Sequence, residues 1–483
     1  MSYETVFNQK KENVVPKKII QKLKEVTNNK VSTREVDRVT YSKDYMPITL
    51  RWLLDGKLAA LPDCIVWPEN TSQVSEILKI ANNEKIPVIP FGDGSGVLGG
   101  AIPVRGGIVL DVKKMDRIME IDDSSLLTTL QTGINGMNLE RYLNQHGYTL
   151  GHIPQSLYCS SLGGWVACKA AGQFSTKYGK IEDIIVALEA VLPDGSIIKS
   201  KKVPRSSTGP SIERLFLGSE GQFGIVTEAT LKIWPYPEKR ILKSYVFSEI
   251  SEALESVRNI MRKNVYPAVV RIYDKNETLR HFYNAPDVKD KIMLIFLMEG
   301  DEKLVELENN ISSNICKLNG AKSCGEEPVK HWLETRFNVR ESSDFTPKGF
   351  VFDTVETSIN WKYALEFYHK MIESMRQIKG VVVASAHASH FYPQGVCFYF
   401  TFGGVPPKNV EPFNFYQSVW DNMMKTCIDQ HGSISHHHGI GIIRSKWLSQ
   451  EMGNRYNLFK KIKHTIDPNG IMNPGKMGID NED

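Results

Sequence analysis

Four groups of residues in this chain could do chemistry. The first is the run Pro90, Phe91, Gly92, Asp93, Gly94, Ser95 and Gly96, where glycines let backbone N–H groups approach an anion without Cβ clashes; a diphosphate is the expected guest. Two further Gly and Ser clusters follow, at Ser156 to Gly164 and at Gly218 to Val226. Three close-approach loops point to one large, flat, polar ligand. The second group is Tyr399, in Tyr399-Phe400-Thr401-Phe402, and the third is the adjacent His436, His437 and His438. A tyrosine with a pKa of about 10 needs a neighbouring base to shuttle a proton at neutral pH, and an imidazole near about 6.5 is the natural one. Arg340, with Arg336 as its rival, forms the fourth: a guanidinium fork suits a carboxylate or phosphate. Blander readings stand beside these. A tyrosine in an apolar strand can be a core residue with a satisfied hydroxyl, and three histidines can serve a metal or a solvated loop, although adjacent side chains rarely converge on one centre.

These groups need elements to position them. Val74, Ile77, Leu78 and Ala81 recur at helical spacing, with Thr71 and Ser72 placed to cap, so a helix is expected ahead of a strand at Ile86 to Ile89. Gly94, Gly96 and Gly99 satisfy the G-x-G-x-x-G pattern of a Rossmann site, which requires a following helix. Pro103, Gly106 and Gly107 interrupt instead, and Ile108-Val109-Leu110-Asp111 is strand-like. A backbone nest, without a helix dipole, is therefore expected to serve the phosphates. Short β-branched runs between Pro62 and Pro237 read as one α/β domain. Beyond Trp234-Pro235-Tyr236-Pro237, strands alternate with longer amphipathic stretches such as Ala253 to Met261 and Tyr363 to Ile378, consistent with a second, α+β domain. The expected division is a helical extension over 1–56, the α/β domain over 57–237, the α+β domain over 238–430, and a segment over 431–483 that packs back on the first domain.

Composition narrows the class. Hydrophobic residues at 41% and charged residues at 24% of 483 exclude a disordered or fibrous chain. A net charge of +4 is too dilute for a nucleic-acid footprint. The seven cysteines are scattered and without a C-x-x-C pair, as expected of free thiols in a reducing compartment. No apolar window approaches the roughly 20 residues of a membrane span. Neither a secretory signal nor a peroxisomal address is found, so a cytoplasmic location is expected.

The three clusters in this order, ending in Gly218-Ser219-Glu220-Gly221-Gln222-Phe223-Gly224-Ile225-Val226 and continuing Thr227-Glu228-Ala229, resemble the PCMH-type FAD domain of the vanillyl-alcohol oxidase superfamily. Further segments, Ser161 to Val166, Tyr178 to Asp183, Pro204 to Pro210, Tyr399 to Phe402 and Ser435 to Gly441, resemble the alkyldihydroxyacetonephosphate synthase family. The resemblance implies an α+β protein with a PCMH-type FAD-binding domain and an α+β cap. FAD would be held non-covalently, because Asp93 stands where some members carry a linking histidine. It would be held by Pro90 to Gly96, by Gln155, Ser156, Leu157, Tyr158, Cys159, Ser160 and Ser161, by Cys168, Lys169, Ala170 and Ala171, and by Glu220, Gly221, Gln222, Phe223, Gly224, Ile225 and Val226. By the same resemblance Tyr399 moves a substrate proton, the His436 to His438 cluster supports acid-base steps, Arg340 binds the substrate anion, and Arg271 is structural. The implied reaction replaces the acyl group of acyl-dihydroxyacetone phosphate by a fatty alcohol through a flavin N5 adduct, with no net oxidation. The alternative is an FAD-dependent dehydrogenase of a 2-hydroxy acid, such as D-lactate or glycolate, or of a polyol phosphate. A lipid-like substrate implies an apolar wall, for which Trp165, Phe223 and Trp361 are candidates. Contact with a membrane surface and a homodimer are the associated expectations.

Overall fold

The computed structural model describes residues 4–7, 14–338 and 344–479. Parallel strands Cys64–Val66 and Val88–Phe91 flank Ile108–Asp111, and Val31–Ser32 joins the outer edge antiparallel. Helix Thr71–Asn83 makes the crossover between the first two, burying Val74, Ile77, Leu78 and Ala81. Its cap is Asn70, one residue earlier than expected, whose side chain accepts the N–H of Gln73 at 3.0 Å. The strand after it runs Val88–Phe91 rather than Ile86 to Ile89, because Ile86 still closes the end of the helix by donating to Ala81. From Phe91 to Ile108 the chain forms no helix, so no helix dipole follows the Gly-rich loop.

Next to this sheet lies an antiparallel one, in the order Ile197–Lys199, Ile185–Val191, Ile225–Lys232, Leu127–Gln131 and Ile118–Asp122. The first 56 residues hold helices Lys17–Val26, Glu35–Thr40 and Ile48–Leu54, but they also supply the edge strand Val31–Ser32. Ile19 and Leu23 are part of the same buried cluster as the parallel strands. Near the other end of the chain, Val88 pairs with Met472.

A seven-stranded antiparallel sheet forms the rest, ordered Lys322–Gly325, Lys239–Phe247, Ile292–Gly300, Val269–Tyr273, Val381–Phe391, Gly395–Gly404 and Val351–Asn360. Helices Ile250–Arg262, Glu302–Leu318, Ala364–Arg376 and Pro412–Asp429 accompany it. Strand periodicity decides what faces what. In Gly395–Gly404, Phe398, Phe400 and Phe402 are wholly buried, and Phe367 of helix Ala364–Arg376 lies 5.9 Å from Phe400. Tyr399 alternates with them and so emerges on the other face. Among the described residues no helix is long and apolar enough to cross a membrane.

Candidate active site

A cavity of about 910 Å³ lies between the glycine loops and the seven-stranded sheet. Its first wall is made by the glycine and serine loops. Pro90 to Gly96, Gln155, Ser156, Tyr158, Cys159, Ser161, Cys168, Ala170, Ala171, Glu220, Gly221, Gly224, Ile225 and Val226 line it. Gly94 has φ +70°, and a Cβ there would sit 2.6 Å from the Phe91 ring. A Cβ on Gly92 would overlap the hydroxyl of Ser161, a buried oxygen without a hydrogen-bond partner. The Gly92 backbone thus lies against the Ser161 side chain, whose orphaned hydroxyl takes the place a Cβ would fill. Such a surface suits a flat cofactor with a diphosphate.

Five of the expected cofactor residues do not line the cavity. Leu157 is buried in the core. Ser160 accepts the indole N–H of Trp165 at 2.8 Å. Lys169, in a left-handed conformation at the end of helix Leu162–Cys168, lays its stem against Gly218. Gln222 donates to the Asn473 carbonyl at 2.8 Å, and Phe223 packs edge-on against Phe459. Of the apolar wall candidates only Trp165 lines the space. Trp361 stacks on Phe391 and donates to the Tyr392 carbonyl instead.

The second wall is made of side chains, placed by strand register. Tyr273 pairs with His387, His387 with Tyr399, and Tyr399 with Glu356, so one row of four residues crosses four adjacent strands. Residues so paired share a face and touch. The His387 ring stacks on Tyr399 at 4.7 Å between centroids. Over this row hangs the loop Ser435 to Gly439, anchored where Ser433 bridges Ser358. Fully buried Glu356 accepts the backbone N–H groups of His436 and His438 and the Arg444 guanidinium at 2.8 Å. Burial raises its carboxyl, but the charge of Arg444, helped by the N–H donated from His436, outweighs burial and holds it at about 2.

The histidine loop thereby brings His437 and His438 to the cavity beside Tyr399, while half-buried His436 sits behind. The Tyr399 hydroxyl bonds His437 Nε2. His437 Nδ1 faces His436 Nδ1 at 2.8 Å, and His436 Nε2 meets the Tyr392 hydroxyl at 2.7 Å. Burial keeps both imidazoles well below their ordinary pKa, and burial with Cys397 and Glu356 nearby keeps Tyr399 well above its own. Cys397, His436 and His437 approach within 4.8 Å of one another, yet all four ring nitrogens of the pair already have partners in these hydrogen bonds.

The anion-binding candidates separate cleanly. Arg340 lies outside the described residues. Arg336 lines the cavity with Nε and Nη1 buried and unpartnered, its guanidinium 4.6 Å from the Phe337 ring centre. Burial, with Arg240 nearby, lowers its pKa to about 10. Arg271, expected as structural, also lines the cavity, donating to Tyr273 at 2.8 Å.

Several lining residues escaped the sequence reading. Asp44 reaches the cavity from the N-terminal segment, and its buried carboxylate accepts the N–H of Met46 at 3.1 Å; nothing in its local pattern marks it. Glu220 lines the space as expected, but its carboxylate also accepts the N–H groups of Ile440 and Gly441. It ties the cradle to the histidine loop. A Cβ on Gly439 would stand 2.5 Å from Glu220 Oε1, so the glycines after the histidines were the available signal.

The matching family models are "FAD binding domain" over residues 62–201 and "FAD linked oxidases, C-terminal domain" over residues 236–477. The chain belongs to the FAD-linked oxidase family. FAD is its cofactor, and the cradle fits it. The fold is a PCMH-type FAD-binding domain with an α+β cap. Alkyldihydroxyacetonephosphate synthase of Dictyostelium discoideum is 30% identical over 459 residues, covering 87% of this chain and 74% of that one. An uncharacterized FAD-linked oxidoreductase of Escherichia coli (strain K12) is 32% identical over 431 residues, covering 86% and 88%. A solved alkyldihydroxyacetonephosphate synthase superposes with a TM-score of 0.82 at 25% identity, covering 98% of this chain and 89% of the other. This FAD-linked oxidase homologue is therefore an FAD-dependent enzyme.

Proposed function

We propose that this enzyme acts as an alkyldihydroxyacetonephosphate synthase, exchanging the acyl group of an acyl-dihydroxyacetone phosphate for a fatty alcohol. The observation that carries this reading is the Tyr399 hydroxyl, bonded to His437 and facing the same cavity as the glycine cradle. Bound without a covalent link, FAD supplies the redox-active ring that such an exchange needs without an external oxidant. Tyr399 moves a proton at the carbon beside the ketone, and neutral His437 is the group that accepts or returns it. Arg336 takes the anionic end of the substrate with its two unpartnered donors. Trp165, Tyr158 and Phe282 give the space apolar surface for a lipid-like tail. The named relatives at 30% and 25% identity support the same reading.

A second reading is an oxidoreductase of a 2-hydroxy acid or polyol phosphate. His387 favours it: the ring lies flat on Tyr399, lines the cavity and keeps Nδ1 unpartnered, as a base for a substrate hydroxyl would. One experiment separates the two. The FAD-loaded enzyme is mixed anaerobically with palmitoyl-dihydroxyacetone phosphate, D-lactate, glycolate or glycerol 3-phosphate while flavin absorbance is followed at about 450 nm. The synthase predicts bleaching by the acyl ketose alone, reversed by hexadecanol with release of palmitate. Lasting bleaching by a hydroxy acid or polyol phosphate establishes the oxidoreductase instead.

A further inference from the structure

The acid-base pair Tyr399 and His437 does not end at His437. Its second ring nitrogen meets His436, and the second nitrogen of His436 meets Tyr392. Each imidazole is thus entered through one nitrogen and left through the other. Tyr392 follows the strand Val381–Phe391 at the hairpin turn, next to exposed Pro393 and Gln394. The chain of contacts runs from the cavity to half-buried Tyr392, beside the exposed turn.

Neutral rings can satisfy these three hydrogen bonds in two ways only. In one, Tyr399 donates to His437 Nε2, His437 Nδ1–H donates to His436 Nδ1, and His436 Nε2–H donates to the Tyr392 oxygen. In the other every donor is reversed. Because the Nδ1 to Nδ1 contact holds a single proton, fixing it on either ring fixes all the rest. The two patterns differ by the passage of one proton along the whole line.

We propose that Tyr399, His437, His436 and Tyr392 form a proton path between the cavity and solvent, with Tyr392 as its outer gate. The proposal rests on the reading of Tyr399 as the group that exchanges a proton with substrate. When Tyr399 takes a proton from a substrate carbon, its own O–H bond breaks as an N–H forms on His437 Nε2. The His437 Nδ1–H passes to His436 Nδ1, and the His436 Nε2–H passes to Tyr392. The former Tyr392 proton leaves to water at the turn. The line itself stays neutral, the electron pair of the broken C–H bond remains with the substrate, and the line is left in its second pattern, ready to run backward when the proton is returned. Burial keeps both rings neutral, as this requires, and burial, with Cys397, Glu182 and Asp183 nearby, keeps Tyr392 protonated. His436 and Tyr392 are positioning residues, since neither touches the cavity.

The test is Tyr392→Phe in the FAD-loaded enzyme, with palmitoyl-dihydroxyacetone phosphate and hexadecanol as the probe. Turnover is expected to fall roughly tenfold at unchanged KM, below the loss from removing the acid-base group itself. The solvent deuterium isotope effect should rise, and added imidazole buffer should restore the rate. Wild-type rate and isotope effect in Tyr392→Phe, alongside a damaged Tyr399→Phe, would overturn the path and leave the acid-base reading standing. An undamaged Tyr399→Phe would overturn that reading. A readout independent of turnover is the imidazole ¹⁵N NMR of histidine-labelled holoenzyme. Wild-type His436 and His437 should each show both nitrogens averaged between protonated and bare positions, and Tyr392→Phe should fix His436 in one tautomer. Fixed tautomers in the wild type, or His436 shifts that ignore the substitution, would overturn the path even if the probe is not turned over. If Tyr392→Phe fails to fold, His436→Gln gives the same kinetic test.

Discussion

The glycine cradle and the Tyr399 wall bound one cavity but are made of different material. The cradle is built from loops drawn from residues 90 to 226, and at Gly92 and Gly94 its shape depends on missing Cβ atoms. The opposite kind of construction holds the wall: side chains drawn from residues 273 to 444, set by cross-strand register and by one buried carboxylate. A cradle of this kind fails by steric intrusion, a few ångströms at a time. A wall of this kind fails by leaving charges and tautomers unpaired, which costs more. Substitutions in the two regions should therefore differ in size and in what they disturb.

The largest effect belongs to Glu356→Ala. It strands Arg444, wholly buried, and frees the N–H groups of His436 and His438. Removing one partner of a buried ion pair costs about 3–5 kcal/mol, so urea unfolding should shift by that order. The pH dependence has a definite sign. The folded carboxyl, at about 2, lies below its ordinary 4.5, so its contribution is present above that ordinary value and is lost as pH falls through about 2. Acid titration of stability between these values should show a fall in the wild type that the variant lacks.

Next in size is Tyr399→Phe. A proton shuttle is worth about 10²-fold or more, near 3 kcal/mol, and bound flavin should be unchanged because Tyr399 stands in the wall. A rate within a factor of about two of wild type, with full flavin content, would return Tyr399 to a core role.

The same contrast explains what could be read in advance. The cradle was legible because a close backbone approach leaves glycine in the chain, and the serine and glycine clusters appear in order along one stretch. Tyr399 was singled out by the family resemblance, and alternation accounts for its placement: with Phe398, Phe400 and Phe402 on one face, the residue between them faces elsewhere. The row Tyr273, His387, Tyr399 and Glu356 was not legible. Register between Tyr273 and His387, over a hundred residues apart, and between Tyr399 and Glu356, about forty apart, is a tertiary property, and Glu356 carries no local mark beyond its charge. Lys169, Gln222 and Phe223 erred for the converse reason. A motif names consecutive residues, but the fold turns exposed Lys169 outward against Gly218 and buries Gln222 and Phe223 behind the loop.

Asp44 connects the regions and gives a third, smaller effect. Its carboxyl, beside the cradle, is pushed by burial up to about 6 from an ordinary 3.8, with backbone N–H groups opposing. Here the sign is reversed. The stability it contributes is full below the ordinary value and is lost as pH rises through about 6. Asp44→Asn keeps an acceptor for the Met46 N–H and removes the charge, so at pH 7 it should be more stable than wild type by about 2 kcal/mol and level with it at low pH. Equal stability at both pH values would show that water reaches the carboxylate.

The smallest effect is the cleanest separation of binding from chemistry. Gly94→Ala puts a methyl on a residue at φ +70°, where its Cβ meets the Phe91 ring. The left-handed conformation alone costs an L-residue about 1–2 kcal/mol. Phe91 is buried against Tyr41, so the loop must give rather than the ring, and the backbone N–H groups it offers to FAD shift with it. The expectation is FAD affinity weaker by roughly tenfold, measured by flavin titration, with the rate per bound flavin unaltered. Weaker affinity together with a slower rate would mean that the cradle also sets the flavin's position against Tyr399. Unaltered affinity would mean that the loop's conformation is held by protein contacts whether or not FAD is present, and the loss would then appear in unfolding instead.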